Sequence, residues 1–107
     1  MSDFDPDAIY QKLVDAGEEW TDKDAAANLL EETKKTLLAE LMTGLTGPNT
    51  ERERCALADP IYGLHLKNMV AARKDANRAK VRYDSMKVLA EMRRTEASTR
   101  RAEMMLR

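Results

Sequence analysis

His65 and Cys55 are the only histidine and the only cysteine in the chain, so any proton-transfer or thiol chemistry would start with them. A catalytic histidine needs a group that orients it, and a nucleophilic thiol needs a base. His65 falls on the apolar seam of a helical pattern, where packing or a structural hydrogen bond is the expected role. Cys55, in "ERERCALAD", reads as a small core residue of a short amphipathic helix. One cysteine excludes an intramolecular disulfide framework, and the two residues together cannot build a structural zinc site. The paired carboxylates Glu18-Glu19 and Glu31-Glu32 are adjacent in sequence, so they diverge on a helix and read as surface charge. "GLTGPNT" has glycines but neither the lysine nor the preceding strand of a phosphate-binding loop. The expectation is a non-enzymatic protein with no metal and no cofactor.

A different pattern stands out in "RKDANRAKVRYDSMKVLAEMRRTEASTRR". Arg73, Lys80, Lys87, Arg94 and Arg101 recur every seven residues. With Met69 as heptad position a, the a and d positions are Met69, Ala72, Ala76, Ala79, Tyr83, Met86 and Ala90. Such small residues let two helix axes approach closely, and the expectation is self-association through this alanine-rich face. The basic column then occupies position e beside the seam. It can pair with an acidic neighbouring helix, through Glu31, Glu32 and Glu40 of this chain or of a second copy. Alternatively it can neutralise phosphates, although Asp75, Asp84, Glu91 and Glu96 interrupt the field and Tyr83 alone could stack on a base. A second apolar strip runs through Val81, Val88 and Met92, which makes the helix apolar on more than one side.

The elements that position these residues read as four helices in one domain. The first starts at Asp5-Pro6, a cap followed by a proline in the first helical position, and Gly17 is its expected stop. The second starts at the cap Thr21, with Trp20 stapled on its first turn, and keeps its apolar period to about residue 43. The third follows a break at "TGLTGPN": "TERE", Thr50 to Glu53, is a capping box, and the helix ends near Ala58. The last starts at Asp59-Pro60 and has no further proline, so it can run almost to Arg107. The domain thus divides into an acidic helical part (1–43), a loop and short helix (44–58) and a long basic helix (59–107). The expected fold is all-α: short N-terminal helices packed on one long C-terminal helix, as a coiled-coil-like hairpin.

Composition agrees. Of the 107 residues, 43% are hydrophobic but only 5% aromatic, and 35% are charged, a profile that favours helices over sheets. The net charge of −1 hides an asymmetry: residues 1–57 hold 6 Lys/Arg against 13 Asp/Glu, and residues 58–107 hold 12 against 6. No apolar run approaches a membrane span, and the acidic start "MSDFDPDAIY" is unlike a targeting peptide. The expected setting is cytoplasmic, without membrane contact. Five of the seven methionines fall from Met69 onward, as adaptable protein-binding surfaces favour.

Two segments, "AGEEWTDKDAAANLLEETKKTLLAEL" and "MVAARKDANRAKVRYDSMKVLAEMRRTEASTRRAEM", resemble small helical accessory proteins of bacteriophages and prophages, often encoded near recombination genes. The resemblance implies a phage-type accessory protein in host cytoplasm, acting on DNA metabolism or host defence through a protein partner. Its alternative is a nucleic-acid-binding accessory of recombination that uses the basic helix. A homo-oligomer is expected, with a dimer favoured.

Overall fold

The computed structural model describes residues 5–106; residues 1–4, the start of the acidic N-terminal stretch, and residue 107 lie outside it. Three helices follow one another: α1 (Pro6–Thr43), α2 (Asn49–Leu57) and α3 (Pro60–Met105). Among the described residues there is no strand. The all-α hairpin expected from the sequence is what the chain forms, with one difference in its N-terminal half.

That half is a single helix of 38 residues, not two. It opens as expected: the Asp5 carboxylate accepts from the amides of Asp7 and Ala8, and Pro6 occupies the first helical position. Gly17 does not stop it. A Cβ on Gly17 would lie 3.2 Å from Cε1 of Tyr83 on α3, so the missing side chain makes room for a ring. Thr21 does not cap either; its hydroxyl donates to the Gly17 carbonyl at 2.9 Å, within the same helix. Trp20, in place of stapling a helix start, stacks on Tyr83 with ring centroids 5.6 Å apart. Contacts with α3 thus carry the helix through a local stop signal.

The α1–α2 turn runs from Gly44 to Pro48, with Gly47 at φ +110, a conformation open to glycine. α2 starts at Asn49 with Pro48 in the cap position and no side-chain cap bond, so the expected Thr50 box is not formed. Ala56 is its one buried residue, and Cys55 is exposed, contrary to the core role expected of it. Adjacent helical positions face different ways, and it is the alanine that faces inward. α3 starts as expected, with the Asp59 carboxylate accepting from the Ile61 amide at 2.8 Å and Pro60 first.

α1 and α3 run antiparallel. Tyr83 lies at Gly17, Arg73 reaches Asp24 and Glu31, and His65 reaches Leu30. The core between them is almost entirely alanine: Ala16, Ala27, Ala76 and Ala79 are buried, with Ala56 and Tyr62 toward the turn. Among the described residues no large side chain is fully buried. The result is a rod of 86 × 18 × 18 Å. Its accessible surface is 8350 Å² for 12.1 kDa, where a compact monomer of that mass exposes about 6,000 Å². At about 1.5 Å per residue the last dozen residues of α3 extend roughly 16 Å past the start of α1.

Candidate binding surfaces of the hairpin

The seam residues Met69, Ala72, Tyr83, Met86 and Ala90 are half-buried, and Ala76 and Ala79 are 1% exposed, all within one chain. The face expected to join two copies is therefore filled by α1. The heptad pattern specifies close helix pairing but does not say which helix pairs. A second copy must use another face unless the hairpin opens.

The basic column changes role along its length. Arg73 is clamped: its Nη1 donates to Asp24 at 2.7 Å, its Nε to Glu31 at 2.9 Å, and its Nη2 to Asn28 at 2.6 Å. This fork pulls the Glu31 carboxyl below the usual carboxylate range, chiefly through the Arg73 hydrogen bond, and raises the already high pKa of Arg73. Lys80 and Lys87 are held by aromatic rings instead, 5.7 Å from the Trp20 centroid and 5.4 Å from that of Tyr83. Of the acidic partners expected, Glu31 takes part, whereas Glu32 and Glu40 form no ion pair among the described residues. A neighbouring contact not foreseen in the sequence joins Arg82 to Glu19 at 2.8 Å. Glu19 also pairs with Lys23 at 3.2 Å, and the Lys23 hydrogen bond, followed by the charge of Arg82, holds its carboxyl below the usual range.

Arg94 and Arg101 stand beyond these partners. Among the described residues Arg101 reaches only Ser98, 3.4 Å away on its own helix. Arg94 borders an apolar groove at the open end of the hairpin, between Ile9, Tyr10 and Leu13 of α1 and Tyr83 and Ala90 of α3. Lys87 and Glu91 complete its rim, and its volume is about 320 Å³. The groove exists because Ala90 leaves space opposite Ile9 and Leu13. The charge asymmetry of the sequence makes the Arg73 clamp legible, but the lysine–ring contacts and the groove depend on helix register.

His65 takes the structural role expected of it. Its Nε2 donates to the Leu30 carbonyl at 2.8 Å, which fixes the proton on that nitrogen. Among the described residues no three His, Cys, Asp or Glu side chains converge as metal ligands. No helix of the described residues is long and apolar enough to cross a membrane. No family model matches the chain, and comparison with curated proteins and with solved structures finds no match.

Proposed function

We propose that this is a non-enzymatic accessory protein that binds an acidic amphipathic helix of a protein partner at the open end of its hairpin. The observation that carries this reading is the groove itself. It offers apolar walls from Ile9, Leu13 and Ala90 and an exposed Tyr10, with two cations, Lys87 and Arg94, against one anion, Glu91, on its rim. An amphipathic helix binds by laying apolar side chains spaced three and four apart into such a groove, and the basic rim selects acidic flanks. Arg73, Lys80 and Lys87 are held by Asp24, Glu31, Trp20 and Tyr83, which leaves Arg94 as the rim cation that forms no such contact among the described residues. The phage-type setting is carried by the resemblance of residues 16–41 and 69–104 alone.

A nucleic-acid reading has one observation in its favour. Residues 93–105 hold four arginines against two glutamates, on a helix that has left α1 behind. The two readings separate in one experiment, capture from host lysate with and without nuclease, using the wild type, Tyr10→Glu and the pair Arg94→Glu, Arg101→Glu. A protein retained after nuclease and lost in Tyr10→Glu supports the groove. Retention that disappears with nuclease, unaffected by Tyr10→Glu and abolished by the arginine reversals, overturns it in favour of nucleic acid.

A further inference from the structure

The face of α3 turned away from α1 carries Val70, Val81, Val88 and Met92, which are 65%, 64%, 55% and 56% exposed. Steps of eleven, seven and four residues keep them on one side of the helix, opposite the buried Ala76 and Ala79. The charges flanking this strip are sorted. Before Val81 the charges beside it are basic, Lys67, Lys74 and Arg78, with Asp75 farther round the helix. After Val81 they are acidic: Asp84, Glu91 and Glu96. Among the described residues only Glu96 of the six beside the strip has an ion-pair partner, Arg93 at a loose 3.8 Å. The other cations near this side of α3, Arg73, Lys80 and Arg82, are turned to α1 by Glu31, Trp20 and Glu19.

From this order we infer that the back of α3 binds a second copy of itself, antiparallel, about a two-fold axis at Val81. An isologous interface requires a surface complementary to itself, and a strip that is basic at one end and acidic at the other meets that condition only head to tail. In this pairing Val81 faces Val81 of the second copy. Val70 faces its Met92, because each lies eleven positions from the centre. Lys74 lays its stem over Val88 of the second copy, and Arg78 comes level with its Asp84, again by equal offsets from Val81. A parallel pair would set Lys67, Lys74 and Arg78 against themselves. The strip from Lys67 to Glu96 is about 45 Å long and roughly 10 Å wide, so the two copies together bury about 900 Å², close to the ~1,000 Å² of a small specific interface. That size describes a dimer that dissociates on dilution, and its burial lowers the excess surface of the lone rod.

Sedimentation equilibrium over a wide concentration range tests the inference, with circular dichroism to verify helix content. The wild type should dimerise reversibly. Val81→Glu, at an exposed position that folding does not use, should weaken dimerisation at least about tenfold by setting two carboxylates at the axis. Lys67→Glu with Lys74→Glu, and separately Asp84→Lys with Glu96→Lys, should each dimerise poorly alone and form a heterodimer when mixed. Orientation is read in a Cys55→Ser background: a short bismaleimide linker should join Val70→Cys chains to Met92→Cys chains. A monomer at every concentration would overturn the inference. So would a dimer indifferent to Val81→Glu, or linkage only between like cysteines.

Discussion

The middle and the open end of the hairpin use the same two helices and differ mainly in side-chain size. In the middle, Ala27, Ala76 and Ala79 leave so little between the helices that they are at most 1% exposed. At the open end a single alanine, Ala90, faces Ile9, Tyr10 and Leu13, and the mismatch leaves a groove. Close approach needs small residues on both sides of a seam; a small residue on one side only makes a recess. Tyr83 sits at the boundary, where Gly17 yields the space that its ring occupies.

Substitution at matched positions should reproduce this difference. Ala79→Leu drives a large side chain into the closed seam and should cost about 1–3 kcal/mol or more, read as a lower urea midpoint. Tyr83→Ala, at the boundary, removes the Trp20 stack and half-buried ring area and should cost about 1.5 kcal/mol in the same measurement. Arg73→Met should lower the urea midpoint only slightly, because its partners are 40% exposed or more and water screens them. Its signature is in acid. The folded Glu31 carboxyl binds a proton less readily than the unfolded one, so its contribution is complete above the unfolded value of about 4.3 and disappears as pH falls through the lowered folded value. Arg73→Met should flatten that part of a stability-against-pH curve. Ala90→Leu, the counterpart of the first change, should shift stability by no more than about 0.5 kcal/mol because the groove has room for it. A large loss there would mean that the open end is as tightly packed as the middle.

Much of this fold is written locally. Asp5-Pro6 and Asp59-Pro60 each start a helix where a cap and a proline predict one, and the alanine heptads of α3 mark its packed face. Local signals fail at Gly17, Trp20 and Thr21. A glycine followed by a cap pattern resembles a helix boundary, but the ring of Tyr83, distant in sequence, turns the glycine into a contact point and Trp20 into its stacking partner. The same limit applies to the binding surfaces. Charge asymmetry makes the pairing of Arg73 with Glu31 readable, whereas Lys80 on Trp20 and the recess at Ala90 follow from how far one helix slides along the other. A heptad also carries no mark of whether its partner belongs to the same chain, which is why the alanine seam reads as a surface for self-association and proves to be the hairpin's interior.

The antiparallel arrangement orders the contacts by the length of chain each must close. His65 and Leu30 are separated by 35 residues, Arg73 and Glu31 by 42, and Arg82 and Glu19 by 63. Closure entropy rises with that separation, so the hairpin zips from its turn toward its free ends and unzips in reverse. Changes near His65 should therefore slow folding, and changes near Tyr83 should speed unfolding. The groove beside Ile9 and Ala90 is thus formed last and opened first. A ligand held there would act as a clasp on the whole zipper.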